Sequence, residues 1–252
     1  MNKNISLPVT LLGVLLFAFS AAHAKDNIKT EEDLSEYNAA LKLAPDLDNG
    51  RELYKMCVAC HGPEGWGSRN GSYPQIAGQL PGVSIKQLAD IRAGNRDNPI
   101  MRAFTTVKVL NGAQDIADVA GYVAALPMSA NNGQGNKRYL EQGKEIFLRD
   151  CADCHGNKGE GNSKKHVPMI QGQHYQYLLR QYRWIRDGRR RNADKNMVEQ
   201  IQGYSLRDEK AVLAYTASLK PPEEKRAKPG WQNPDFPRYH RGWQPEPAPE
   251  RR

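Results

Sequence analysis

The chain has 252 residues, of which 36 are lysine or arginine and 28 are acidic, so its formal net charge is +8. This length is enough for two small domains with extensions. The basic balance favours partners with acidic surfaces. Nucleic acid is the other usual partner of a basic chain, and the export signal at the N terminus argues against it.

The first 24 residues have the pattern of a secretory signal. Lys3 precedes an apolar stretch over residues 11–19, and small residues flank His23 ahead of the first charged run. We therefore predict a signal peptide over residues 1–24, cleaved after Ala24, and an exported, periplasmic protein. The alternative, an uncleaved membrane anchor, is disfavoured because the apolar run is short. Cleavage removes one lysine and no acid, which lowers the charge from +8 to +7.

A charged N-terminal extension over residues 25–47 leads into the first of two helical units, predicted over residues 48–128. The elements expected in this unit follow from apolar spacing, glycine and proline. In chain order they are a short amphipathic helix from Gly50 to Cys57, a glycine-rich loop over 62–79, a helix over 84–93, an extended segment over 98–101 and a helix over 115–126.

Two pentapeptides carry all the cysteines of the chain. Residues 57–61 are Cys-Val-Ala-Cys-His, and residues 151–155 are Cys-Ala-Asp-Cys-His, 94 positions later. Cys-x-x-Cys-His is the attachment signature of c-type haem, in which two thiols join the porphyrin vinyl groups and the histidine binds the iron. The predicted covalent attachment residues are Cys57, Cys60, Cys151 and Cys154, and the predicted proximal iron ligands are His61 and His155.

Other uses of paired cysteines are a redox disulfide, a structural disulfide or a zinc site, and two pairs could share one zinc ion. Both pairs, however, carry the same histidine at the same offset, with Gly62 or Gly156 directly after it. We therefore predict two covalently attached haem c groups as cofactors. A buried porphyrin would also supply apolar contact surface that units of this size lack.

The second unit, predicted over residues 139–220, repeats the first. Residues 169–173 correspond to 75–79, and 185–188 correspond to 91–94, at the same offset of 94 as the cysteines. Such self-similarity indicates duplication. The glycine- and asparagine-rich stretch between the copies is predicted to be a flexible linker over residues 129–138.

The second axial position decides the chemistry of each iron, because methionine closes it and favours electron transfer, whereas an open position allows substrate chemistry. Met101 lies 40 residues after His61, and Pro99 is expected to stiffen its segment. Met197 lies 42 residues after His155, in a longer segment without proline. We predict both methionines as axial ligands. The competitors in the second unit are Met169, the loop residue His166, and His174, which we expect at the surface where a helix over 175–186 begins.

These motifs together resemble the dihaem cytochrome c4 family, in which two class I cytochrome c domains follow one another. The resemblance covers about residues 48–220. It implies an all-α fold in each domain, two covalent haems with His/Met ligation facing each other across a domain interface, and electron transfer between periplasmic or membrane-bound oxidoreductases. The sequence departs from the family pattern in the segment before Met197, at Met169 and Gln171, and in its tail.

Six arginines of the second unit could form a docking face for acidic partners, a solvated helix face, or contacts with haem propionates. They are Arg180, Arg183, Arg186, Arg189, Arg190 and Arg191. The tail, residues 221–252, is rich in proline and aromatic residues, among them Trp231, Phe236, Tyr239 and Trp243. We expect it to be a strap lying on this chain or on another subunit, and not a disordered tail.

The sequence thus predicts a periplasmic dihaem electron carrier and not an enzyme, working with redox proteins and reaching a membrane only through a partner. A stable complex formed through the tail is a further expectation. The alternatives are a dihaem enzyme, or an electron-transfer subunit of a periplasmic oxidoreductase, with a labile sixth ligand at the second haem. A mainly structural subunit is a third hypothesis.

Overall fold

The computed structural model describes residues 31–237, and this part of the chain is helical, with isolated β-bridges and no strand. The predicted all-α class is confirmed. Two single-turn 3₁₀ helices, Lys137–Tyr139 and Glu223–Lys225, accompany eleven α-helices in the described part. These are α1 (Glu31–Ala40), α2 (Leu47–Tyr54), α3 (Val58–His61), α4 (Pro81–Arg92), α5 (Pro99–Phe104), α6 (Ala113–Ala125), α7 (Leu140–Asp150), α8 (Ala152–His155), α9 (Tyr175–Arg186), α10 (Lys195–Ile201) and α11 (Leu206–Ser218).

In each unit the first and last helices cross at a glycine. A Cβ at Gly50 in α2 would lie 2.3 Å from the carbonyl oxygen of Asp118 in α6. A Cβ at Gly143 in α7 would lie 2.0 Å from the carbonyl oxygen of Ala211 in α11. Only glycine allows so close an approach of two backbones. The repeated glycine therefore has the same packing role in both units.

Two separate hydrophobic clusters form the cores. The first is built around the fully buried Tyr54 and Ile116, and the second around the fully buried Phe147. Equivalent aromatic pairs join the crossing helices, with ring centroids 5.3 Å apart for Tyr54 and Tyr122 and 5.4 Å apart for Phe147 and Tyr215. Each unit thus buries its own core, as expected for tandem domains.

One predicted element is wrong: residues 98–101 do not form an extended segment, because α5 begins at Pro99. Asn98 is the N-cap, its side chain accepting a hydrogen bond from the backbone N–H of Met101, and proline is favourable in the first helical turn. The expected helices over 84–93 and 115–126 are present as α4 and α6, each beginning a few residues earlier.

The two units meet through a symmetric pair of glutamines. The side chain of Gln173 accepts from the backbone N–H of Gln75 at 3.0 Å and donates to its carbonyl oxygen at 2.8 Å. Gln79 makes the same pair of bonds with the backbone of Met169, at 3.0 and 2.9 Å. Gln79 and Gln173 are equivalent in the repeat, as are Gln75 and Met169. The interface is therefore isologous, like that of a twofold dimer, but within one chain.

Hydrogen bonds to both units hold the connection over residues 129–138 in place, so it is not a flexible linker. The Ser129 N–H donates to the side chain of Gln75 at 2.8 Å. Asn132, only 4% exposed, donates to the carbonyl oxygens of Gln173 at 2.7 Å and Ala217 at 2.8 Å. The expectation of a flexible linker missed these contacts because their partners are distant in sequence.

After α11 the chain returns to the first unit as a strap, which we define as residues 221–237. Asn233, 1% exposed, donates to the carbonyl oxygen of Pro63 at 2.7 Å and contacts the Tyr122 hydroxyl at 3.0 Å. Phe236 is buried against Tyr54. The predicted strap thus lies on this chain over the described part of the tail. Tyr239, Trp243 and the predicted signal peptide lie outside the described residues.

Candidate functional site

Each cysteine motif folds as one helical turn. The N–H of His61 donates to the carbonyl oxygen of Cys57 at 2.9 Å, and His155 donates to Cys151 at the same distance. Helices α3 and α8, with the cysteine that caps each one, thus hold two thiols and one imidazole within a single turn. This is the arrangement that attachment of one porphyrin edge and one iron requires.

The glycine after each histidine is required by its backbone conformation. Gly62 has φ 75° and ψ 160°, and Gly156 has φ 81° and ψ 155°. This region of backbone space is accessible almost only to glycine. Both glycines end their helical turn and redirect the chain into the loop that passes beneath the histidine.

Both histidines are buried and oriented by a backbone carbonyl. The Nδ1 atom of His61 lies 3.1 Å from the carbonyl oxygen of Pro74, and that of His155 lies 3.0 Å from Pro168. A carbonyl only accepts, so Nδ1 carries the proton and Nε2 keeps its lone pair. Burial lowers the pKa of both imidazoles, which favours this neutral form. Such orientation through Nδ1 is typical of metal-binding histidines.

No disulfide joins the four cysteines, and burial raises the pKa of the Cys57 and Cys151 thiols to about 12. Among residues 31–237 no three histidine, cysteine or acidic side chains are grouped to hold a metal ion. The geometry therefore gives no support to a structural disulfide or to one zinc ion shared by the two pairs.

The surroundings of the motifs fit a porphyrin. Cys57 borders the first hydrophobic cluster, and Cys151 borders the second together with Met197. The hydroxyl of Tyr182 in the second cluster is buried without a hydrogen-bond partner. A group with a large apolar body and polar edges would satisfy both the apolar walls and this orphaned hydroxyl.

Met101 and Met197 occupy equivalent positions in two short helices. The Met101 N–H lies 3.3 Å from the side-chain oxygen of Asn98, and the Met197 N–H lies 3.3 Å from that of Asp194. Each methionine is thus the third residue of a helix with an Asn or Asp cap. The two extra residues of the second unit lie before Asp194. The longer segment therefore does not change the position of Met197 within its helix.

Two of the three competing residues, His174 and Met169, form hydrogen bonds elsewhere in the chain. His174 is not at the surface, as the sequence suggested, but 1% exposed. Its Nδ1 accepts from the Gly133 N–H at 2.9 Å, and its Nε2 donates to the Trp66 carbonyl oxygen at 2.7 Å. Met169 is tied to Gln79 in the domain interface. His166 lies in a turn, with its ring centroid 5.8 Å from that of Tyr37.

Most of the arginines expected at a docking face have partners within the chain. Arg183 and Arg186 both pair with the buried carboxylate of Glu209 at 2.7 Å. Arg180 donates to the carbonyl oxygen of Gly71 at 2.6 Å. Arg190 and Arg191 also contact the first unit, whereas Arg189 is exposed. The internal repeat could have revealed these contacts, because two copies of one domain can pack against each other through equivalent surfaces.

The sequence model of the cytochrome c family matches twice, over residues 47–127 and 140–220. Cytochrome c4 of Azotobacter vinelandii is 31% identical over 192 residues, covering 70% of this chain and 90% of the relative. A protein of Stutzerimonas stutzeri (strain A1501) named thiosulfate dehydrogenase electron acceptor is 31% identical over 198 residues, covering 71% and 90%.

Among solved structures, reduced recombinant cytochrome c4 from Pseudomonas stutzeri superimposes with a TM-score of 0.62 at 29% identity, covering 70% of this chain and all of that one. The double family match, the relatives and the paired motifs agree. The chain therefore belongs to the cytochrome c4 family, electron-transfer proteins built from two tandem cytochrome c domains with two covalently bound haem c groups.

Proposed function

We propose that this protein is a periplasmic electron carrier that passes single electrons between redox partners through two haems, each ligated by histidine and methionine. The axial pairs are His61 with Met101 and His155 with Met197. The observation that carries the proposal is the equivalence of the two sites: each has an Nδ1-anchored histidine and a methionine in the third position of a capped helix.

With these four residues as axial ligands, neither iron would have an open position. A bound haem supplies a one-electron couple. The carbonyl oxygens of Pro74 and Pro168 orient the imidazoles, and the caps at Asn98 and Asp194 hold the helices that carry the thioethers. With both axial positions filled, substrate has no site at the metal, and electron transfer is the natural chemistry.

The proposed location of the protein follows from its N-terminal segment, and the proposed type of partner follows from its net charge. The signal peptide predicted over residues 1–24 would export the chain to the periplasm, where a mature charge of +7 favours acidic partner surfaces. In residues 31–237 no helix is long and apolar enough to cross a membrane. We propose that the mature protein meets membrane-bound partners by docking to them.

The optical spectrum of the oxidised holoprotein tests the ligands. The weak long-wavelength band of a thioether bound to ferric haem should be present for both haems. Met101→Ala and Met197→Ala should each remove half of it, while Met56→Ala, which changes an exposed methionine next to the first motif, should leave it intact. A full band in either ligand variant would refute that assignment.

A second candidate is an electron-transfer subunit of a periplasmic oxidoreductase, with a labile ligand at the second haem. The name of the Stutzerimonas stutzeri relative, thiosulfate dehydrogenase electron acceptor, favours the subunit role. Carbon monoxide separates the two hypotheses, because it binds reduced haem with an open or labile position. Stoichiometric binding at one haem of the unmutated protein would support the second candidate, and no binding would support the carrier.

A further inference from the structure

A cavity of about 340 Å³ lies where the connection between the two units meets both of them. Three cationic side chains line it: Arg69 from the first unit, Lys137 from the connection and Lys220 from the segment after α11. None of the described residues that line the cavity is acidic. Three separate parts of the chain therefore bring positive charge to one site.

The positive charge at this cavity has no anionic counterpart within residues 31–237. The ion pairs of this range all involve other side chains. Arg69, Lys137 and Lys220 are exposed, so an ion in solution can reach them. Like charges that share one site repel each other, and a bound anion relieves that repulsion. The cavity is therefore suited to receive an anion.

The polar wall of the cavity is held in position without a ligand. At the end of α11, the carbonyl oxygen of Ala217 accepts from Asn132 at 2.8 Å and from Gln134 at 2.9 Å. This oxygen would otherwise repel an anion. A Cβ at Gly133 would lie 2.2 Å from the carbonyl oxygen of Arg69, so the connection packs directly on the backbone of this arginine. Such pre-organisation lowers the cost of binding.

Helix α7 adds partial positive charge at the same place. Its first residue, Leu140, lines the cavity, and no side chain caps this end of the helix. The N-terminal end of a helix favours anions because of its dipole. The amide group of Asn131, which also lines the cavity, can donate hydrogen bonds to oxygen, and the guanidinium of Arg69 matches the geometry of an oxyanion. These donors together favour an oxyanion.

The arginine and the lysine at the two ends of the site do not belong to the repeated pattern. Ser163 occupies the position of the second unit that corresponds to Arg69, at the offset of 94. Pro127 corresponds to Lys220, at the offset of 93 that relates Leu126 to Leu219. The site is thus a feature of the connection between the domains and not of the cytochrome c domain itself.

We propose that this cavity binds one small oxyanion with two or more negative charges, of the class of inorganic phosphate or pyrophosphate. Its volume is at the lower end of the range for ligand sites. The anion would contact Arg69, Lys137 and Lys220, and would thereby hold the connection to both units. The inference goes beyond the proposed function, because the site requires no assumption about the axial ligands of the irons.

Isothermal titration calorimetry of the holoprotein with phosphate, and separately with pyrophosphate, tests the site at an ionic strength held constant with sodium chloride. One anion should bind per chain. Arg69→Gln and Lys220→Gln should each weaken binding on the order of tenfold, because each removes a charged donor. Lys210→Gln removes the same charge from an exposed position of α11 outside the cavity, and should leave the affinity unchanged.

Thermal unfolding provides a second measurement. An anion that binds only the folded chain should raise the melting temperature of the unmutated protein, and should do so far less in Arg69→Gln. This comparison also tests whether the anion holds the connection in place.

Four outcomes would overturn the proposal. Neither anion might show saturable binding, or Lys210→Gln might weaken it as much as Arg69→Gln, which would assign binding to the general surface charge. Unchanged affinity in both Arg69→Gln and Lys220→Gln would place the anion elsewhere. Acetate that binds as tightly as phosphate would exclude a preference for multivalent anions. The thioether band is measured separately, so none of these results would decide the proposed function.

Discussion

At the scale of single residues, the backbone directly after each cysteine motif is restricted in its conformation. Gly62 and Gly156 adopt a conformation that a Cβ disfavours, and they follow directly after the histidines. The carbonyl groups that orient His61 and His155 come 13 residues later in the chain. A change at either glycine should therefore shift the loop that orients the histidine proposed as the proximal ligand.

Gly62→Ala should lower the free energy of unfolding by about 1–3 kcal/mol, the cost of forcing a non-glycine residue into this region. Gly203→Ala is the matched control, because Gly203 has open space around its Cβ position and no positive φ. Denaturant unfolding of the holoprotein measures both. Equal stability of the two variants would contradict the conformational argument.

At the scale of elements, short capped helices carry the methionines. α5 has six residues and α10 has seven, too short to be stable by themselves, so their caps and packing hold them. The side chains of Asn98 and Asp194 accept the N–H groups of the methionines themselves. Loss of a cap should therefore disturb the methionine that we propose as the sixth ligand.

Asn98→Ala and Asp194→Ala should each weaken their helix by about 1 kcal/mol and lower the temperature at which the thioether band disappears. Ser205→Ala removes the cap of α11, which carries no predicted ligand, and provides the control. It should reduce stability without selective loss of the band. A band as heat-resistant in the two cap variants as in the control would count against this role.

Apolar periodicity and glycine or proline signals predicted the long helices, because those signals are local. The short α5 was missed although Asn98 and Pro99 form a typical N-terminal signal, since six residues show little periodicity. The burial of His174 could not be predicted from its neighbours, because its partners Trp66 and Gly133 are more than 40 residues away.

At the scale of the whole molecule, the strap connects the second domain back to the first. It begins after α11 and buries Phe236 against Tyr54 in the first core. Asn233 ties it to the loop after the first haem motif through Pro63. The strap lies outside the residues matched by the cytochrome c family model, which end at 220. It therefore adds contacts to the first domain that the repeat does not provide to the second.

Phe236→Ala should destabilise the first domain by about 3–5 kcal/mol, as expected for removal of a buried phenylalanine. The exposed Lys228, also in the strap, offers Lys228→Ala as a control with little effect. Unfolding followed separately at each haem should show the loss at the first haem. A loss confined to the second haem would contradict the packing of the strap on the first domain.

The electron paramagnetic resonance spectrum of the unmutated, oxidised holoprotein tests the central claim most directly. Two irons closed by His61 with Met101 and by His155 with Met197 should give two low-spin ferric signals of equal intensity. A high-spin signal that integrates to one iron per chain would show an open site, and would contradict the account of this protein as a carrier with two closed haems.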